Sequence, residues 1–344
     1  MTKIELTPRK QAVLKAIVKA YIETGEPIGS KILTSLIENA PSSATLRNEM
    51  SELVSMGLLE QPHTSAGRIP TSDGLKLYVN NLMVKDEISS EHKGFIDKSF
   101  ESITDLPEKI PAKAGEILSD LTHLPVIACV ITSNTAVIKK VELLNISRNT
   151  VMLLVVTNDS RTRNCIFRLT DDLTPQLLER FKQIVSSKIK GKPLETLTVG
   201  YMQSLVASLG IDAFKMMPLF TALFETANEI ENMTVDLSGV SRLYNICGNE
   251  ERAKRIISLV ERRDPIISLF ERVGNGVVFG KDTGFAELQS DTLIAAPFTS
   301  EKYKGYLALI GPNRLSYEQI IPTIEYTAEK LSSVISAAQM DMED

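Results

Sequence analysis

The sequence predicts an α+β chain that opens with a winged helix-turn-helix, and three observations carry that expectation. Residues 1–75 read as helix, short helix, tight turn, helix and hairpin, the order of a winged helix-turn-helix. Beyond residue 112 the apolar period switches from two to helical and back to two. With 43% hydrophobic residues in 344, the chain can bury the cores of two or three domains.

Residues 7–23 begin with Thr7 as N-cap and Pro8 at the first helical position, followed by Val13, Leu14, Ile17, Val18, Tyr21 and Ile22 at helical spacing. Gly25 and Pro27 end this helix, Gly29 and Ser30 start a second over 31–38, and Asn39, Ala40 and Pro41 turn the chain. A third helix is capped by Ser42 or Ser43, carries a core stripe of Leu46, Met50, Leu53 and Val54, and closes at Gly57. Residues 58–61 read as a short strand and 62–70 as a polar, turn-rich loop, completing a winged domain over 1–75. Residues 71–90 look helical and charged, but 99–111 carry little pattern, so 76–111 is expected to be a linker.

From residue 112 a helix leads into strands at 126–132, 137–145, 151–157 and 164–169. Helical spacing then runs from 174 to 231 and again over 250–262. Strand patterns return at 276–280, 292–297 and 306–310 before a last helix over 317–338. Each strand block alone offers too few strands for a sheet. We therefore expect one α+β domain, built from 112–170 and 265–344, interrupted by a helical block at 171–264.

Charge bounds the function. The net charge is −5, and within residues 1–75 acidic and basic side chains balance, so there is no global basic field for nucleic acid. If the head binds DNA, base contacts and dimerisation must supply much of the affinity. Cys129, Cys165 and Cys247 follow no paired spacing, which suits a reducing compartment. Residues 1–20 lack the apolar core of a signal peptide, and no apolar run approaches the roughly 18 residues of a membrane span, so a soluble, cytoplasmic protein is expected. His63, His92 and His123 are too few and scattered for a zinc site or a catalytic pair. The glycines of Gly274-Asn275-Gly276 and Gly280-Lys281 fit no phosphate-loop pattern, because Phe279 and Asp282 occupy required positions, and they read as a hairpin turn. No enzyme, cofactor or metal is expected.

The third helix is the candidate reader. A 100° step per residue places Ala44, Asn48 and Ser51 opposite its core stripe, with Thr45 and Arg47 on the flanks. A helix entering a major groove needs small residues for close approach, Arg for guanine and Asn for adenine. Ser42, Ser43 and the helix N-terminus suit a phosphate. An ordinary solvated helix face would carry the same residue types. The loop containing His63, Thr64, Ser65 and Arg68 is polar, glycine-hinged and bounded by prolines, as a wing on the DNA backbone or minor groove would be. His63 could equally be a turn residue, and Arg68 could pair with Glu60 across the hairpin.

Two stretches, Pro41-Ser42-Ser43-Ala44-Thr45-Leu46-Arg47-Asn48-Glu49-Met50 and the segment from Gly57 through Gln61-Pro62-His63-Thr64-Ser65-Ala66-Gly67-Arg68-Ile69-Pro70 to Thr71, closely resemble the heat-inducible transcription repressors of the HrcA family. The segment Tyr306 to Tyr317 resembles that family's closing segment. Ser43 stands where the family commonly has Pro, and Leu75 where it commonly has Tyr. The resemblance implies that the split domain is GAF-like and that its insert dimerises, and we expect the helical block to do so through apolar faces such as Phe181 and Leu205. It also implies a homodimer on an inverted-repeat operator of double-stranded DNA, the CIRCE element, upstream of chaperone genes. Heat would relieve repression, and a GroE-type chaperonin would sustain the active fold. The alternative is a winged-helix regulator gated by a small molecule in its GAF-like domain, which rests on fold analogy alone.

Overall fold

The head folds as the capping pattern dictates. In α1 (Pro8–Thr24) the Thr7 hydroxyl accepts from the Lys10 amide, and the helix buries Val13, Leu14, Ile17 and Val18. It stops at Gly25, whose φ of +76° is costly for any residue with a Cβ. Helix α2 (Ser30–Leu36) buries Leu33, and α3 (Ser43–Ser55) buries Leu46, Met50 and Leu53. The three helices pack together, and β1 (Leu59–Glu60) pairs antiparallel with β2 (Ile69–Pro70) to form the wing. Thr71 then caps α4 (Ser72–Leu77), which runs into a π-helical turn over Tyr78–Leu82.

The structure is a computed structural model that describes residues 6–340 except 64–65, 105, 133–135, 148, 159–160, 170–173, 211–212, 229, 231–232, 263 and 302. It divides into two units, the first comprising Met1–Cys129, Val235–Ser300 and Gly305–Asp344, the second Val130–Thr234 with Glu301–Lys304.

The expected linker, 76–111, is instead largely structured. It holds the buried Tyr78, helix α5 (Ser90–Glu101) with Ile96 and Phe100 buried, and the start of α6 (Ile110–Thr122). Phe95, Ile96 and Phe100 make too short a stripe in a charged stretch to signal a packed helix, and only the last two are buried. A five-stranded sheet follows in the order β7-β3-β10-β9-β8, where β3 is Val126–Thr132, β7 Met233–Ser238, β8 Gly276–Phe279, β9 Asp291–Thr299 and β10 Tyr303–Pro312. Strands β9 and β10 are buried almost throughout, as central strands covered on both faces must be. Helix α14 (Tyr317–Met340) lies on β9 and packs against α5 and α6. Helices α10 (Val240–Cys247), α11 (Glu250–Glu261), α12 (Asp264–Val273) and the short α13 (Gly280–Thr283) also belong to this first unit. Gly274 ends α12 and Gly276 begins β8, so the glycine pair marks a helix-to-strand turn and not a hairpin.

The second unit is a self-contained layer pair. Strands β4 (Ile138–Ser147), β5 (Thr150–Thr157) and β6 (Thr162–Arg168) form an antiparallel meander, and β5 alternates strictly, burying Val151, Leu153 and Val155. That face meets α7 (Pro175–Ile184), α8 (Val199–Ala207) and α9 (Ala213–Asn228) in one apolar cluster. The observed unit therefore begins before the insert expected at 171–264 and ends earlier. The difference has a physical cause: among the described strands β4–β6 pair with one another and with no other strand, and alternation within a strand does not reveal which sheet it joins. Phe181 and Leu205, expected to face a partner, lie in this unit's own core, with the Phe181 ring 5.3 Å from that of Phe220. All three cysteines are free thiols, and burial pushes the Cys129 thiol up to about 12.

Candidate nucleic-acid interface

The reader helix is fixed at its N-terminus by serines with separate tasks. Ser42 caps it, its Oγ accepting from the Thr45 amide at 3.2 Å and sharing a 3.0 Å hydrogen bond with the Thr45 hydroxyl. Ser43 turns inward, and its hydroxyl shares a 2.9 Å hydrogen bond with that of Ser30, tying α2 to α3. A proline here could not make that bond, so this departure from the common family residue gains a contact. Because Leu46, Met50 and Leu53 are buried, Ala44, Arg47, Asn48 and Ser51 are turned to solvent, while Thr45 is half-buried. The Ser51 hydroxyl donates to the Arg47 carbonyl at 2.9 Å, leaving its oxygen free only to accept. Among the described residues, the Arg47 guanidinium and Asn48 amide have no hydrogen-bond or ionic partner, so a ligand need not break an existing contact to reach them.

The acids of the same helix are held elsewhere. Lys10 lies 2.8 Å from Glu52 and 3.2 Å from Glu49, and Arg9 approaches Glu49 at 3.8 Å. The Glu52 and then the Glu49 carboxylate raise the Lys10 ammonium above its ordinary value. Both negative charges of α3 are thereby neutralised towards α1, so they oppose an approaching phosphate less.

The wing is set by close backbone contact. The Ile28 amide donates to the Arg68 carbonyl at 2.9 Å and the Arg68 amide to the Ile28 carbonyl at 2.8 Å, which adds a third chain to the β1–β2 hairpin. Gly67 is required there, since a Cβ would stand 2.4 Å from the Ile28 carbonyl group. The Ala66 amide donates to the His63 carbonyl at 2.9 Å and the Gln61 side-chain amide to the Ala66 carbonyl at 3.2 Å, curling the loop back. His63 is exposed; Thr64 and Ser65 lie outside the described residues. Arg68 makes no ion pair with Glu60. Its guanidinium reaches the Ala66 and Gly67 carbonyls only at 3.4 Å, and its Nε is buried without a partner.

Helix and wing meet in a groove of about 380 Å³ into which Arg47 and Arg68 both project, with Gly29, Ser30, Gln61 and Gly67 along its sides. Of the residues expected at the site, those two converge. Ala44, Asn48 and Ser51 extend the exposed face of α3, and Ser43 belongs to the frame beneath. Sequence reasoning missed Gly29, Ser30 and Gln61; the glycine-serine step that starts α2 was visible, but only tertiary packing brings it beside the wing. Among the described residues, no cluster of His, Cys, Asp or Glu is placed to hold a metal.

The C-terminal domain of the HrcA protein matches residues 108–321, and the winged helix-turn-helix DNA-binding domain of the HrcA transcription repressor matches 5–82. The chain belongs to the HrcA family. The heat-inducible transcription repressor HrcA of Carboxydothermus hydrogenoformans is 31% identical over 95% of this chain and 97% of its own, and that of Laribacter hongkongensis 29% identical over 96% of each. A crystal structure described as that of a hypothetical protein shares the fold, with a TM-score of 0.61 at 22% identity over 97% of this chain and all of its own. This HrcA-family chain is thus a transcription repressor carrying a DNA-binding winged helix, and not an enzyme. Among its described residues, no helix is long and apolar enough to cross a membrane.

Proposed function

We propose that this HrcA-family protein represses chaperone operons from the cytoplasm as a homodimer on a CIRCE-type inverted repeat, with heat relieving repression and a GroE-type chaperonin sustaining the active fold. The family relationship supports this reading, and so does the convergence of Arg47 and Arg68 on one groove. In it, α3 enters the major groove, Arg47 and Asn48 address base edges, Ala44, Thr45 and Ser51 allow close approach, and Ser42 at the helix N-terminus meets a phosphate. The wing, with His63, Thr64, Ser65 and Arg68, follows the backbone or minor groove. The five-stranded sheet with α6 and α14 is the GAF-like domain of this reading, and the second unit is the dimerising insert.

Support for dimerisation comes from the outer face of the second unit's sheet. The register puts Leu144 and Ile166 on either side of Met152, and Leu144, Ile146 and Ile166 are 51%, 51% and 59% exposed. An apolar row on an open sheet face suits burial against a second copy. A dimer is also what an inverted repeat requires, since its two reader helices must bridge half-sites about one helical turn or a multiple apart.

Gel shifts on operator and scrambled duplexes over a salt series test the reading, with light scattering on a Leu144→Glu, Ile166→Glu variant beside them. Selective, salt-sensitive binding by the native protein and monomers from the variant are expected. Equal affinity for both duplexes would overturn operator recognition, and a persistent dimer would overturn the assigned face.

A further inference from the structure

We propose that the second unit binds an extended acidic peptide, which adds as a strand along the outer edge of β4. In the order β4-β5-β6, β4 is an edge. The loop after α7 covers only its beginning, where the Ile138 amide donates to the Lys192 carbonyl at 3.0 Å and the Gly191 amide to the Ile138 carbonyl at 2.8 Å. From Lys140 onward, no described strand pairs with that edge. Unpaired backbone groups along an edge are a template for another chain.

Beside this edge lies a cleft of about 280 Å³. Lys139 and Lys140 stand on the strand wall, Lys182 and Lys190 on the helix wall, and the buried Phe181 and Val185 form the floor between them. Lys140 contacts Glu142 of its own strand at 3.2 Å, with both side chains substantially exposed. Lys139, Lys182 and Lys190 have no acidic partner among the described residues. Lysines on an edge strand commonly deter aggregation, but that does not account for the pair on the opposite wall. The opposite wall is also irregular. A π turn over Val185–Ile189, closed by the Lys190 amide donating to the Val185 carbonyl at 2.8 Å, supplies Val185 and precedes Lys190; such turns recur at functional sites.

Charge selects the occupant. The second unit contains fourteen Lys and Arg against eleven Asp and Glu, a balance of +3 within a chain of net charge −5. At about 280 Å³ the cleft lies at the bottom of the roughly 300–1,000 Å³ range of small-molecule pockets, and its size suits one or two side chains of a longer segment. The open backbone edge favours a peptide over duplex DNA, whose phosphates would use the lysines and leave the amide and carbonyl groups of β4 unpaired. Alternate apolar side chains would enter the cleft, acidic ones would meet the ammonium groups, and the backbone would pair with β4.

Fluorescence polarisation on the full chain tests this, using a labelled peptide of alternating Leu and Glu, two versions N-methylated on opposite backbone edges, oligoglutamate and an operator-free duplex. Saturable binding of the parent peptide is expected, abolished by methylation on one edge only and weakened about tenfold by Lys182→Glu with Lys190→Glu. Both lysines are exposed, and an unchanged melting curve would verify the variant's fold. No saturable binding, equal binding of both methylated peptides, an unaffected double variant, or oligoglutamate or DNA binding through these lysines as tightly as the peptide would each overturn the proposal.

Discussion

The two sides of the head use their charges in opposite ways. On the groove side, Arg47 has no partner among the described residues and Arg68 is held by little more than two long contacts to carbonyls. On the side facing the rest of the first unit, each cation named here has a partner: Lys19 lies 3.0 Å from Glu318, Lys76 2.7 Å from Asp282 and Lys85 2.6 Å from Glu325. The buried Tyr78 hydroxyl donates to the same Glu318 at 2.7 Å. A head whose acids and bases balance is thus not electrostatically featureless, because Lys19 is committed to docking and Lys10 to Glu49 and Glu52 while Arg47 and Arg68 face the groove. Net charge counts these populations together; placement separates them.

Substitutions can break that contrast in order of severity. Gly67→Ala should have the largest effect, about 3 kcal/mol of stability in denaturant unfolding with operator binding lost as well, because the new methyl meets the Ile28 backbone. If it is silent, the wing is not seated by this contact. Arg47→Ala should weaken operator binding by about 2 kcal/mol in gel shifts while leaving the melting temperature alone. A loss shared equally by unrelated duplexes would make it a phosphate contact. Glu318→Gln should do the reverse, costing about 1 kcal/mol of stability without changing operator affinity per folded molecule.

pH sharpens the docking side further. Burial first, and Glu318 second, raise Tyr78 above its ordinary value, so the folded state keeps the proton that the unfolded chain releases near pH 10. Stability should therefore be fully present below that pH and fall above it, and Tyr78→Phe should reduce the slope of the alkaline unfolding curve. The smallest effect belongs to Lys10→Ala, which uncovers Glu49 and Glu52. It should weaken operator binding slightly at low salt and not at high salt, where screening removes the difference.

Much of the head was legible because its signals are local. Thr7 and Ser42 cap the helices they were expected to start, Gly57 sits at φ +74°, and the stripe of Leu46, Met50 and Leu53 faces inward. Tertiary information was not legible in the same way. That Ser43 belongs to the frame follows from its meeting Ser30, and that Arg68 shares a groove with Arg47 follows from pairing with Ile28. The division into units escaped for the same reason. Alternation in β5 shows one buried face, yet whether that face meets α7–α9 or another layer is decided by contacts far along the chain.

The pairing of Ile28 with Arg68 also bears on mechanics. Three residues earlier, the Arg314 guanidinium lies over Gly25 in the space that a Cβ there would take. At most about 10 Å of chain joins these two points. The base of the wing, where Arg68 pairs with Ile28, is consequently joined by a short strap to the turn that Arg314 overlies, and a displacement of Gly25 has little slack to absorb it before it reaches the wing.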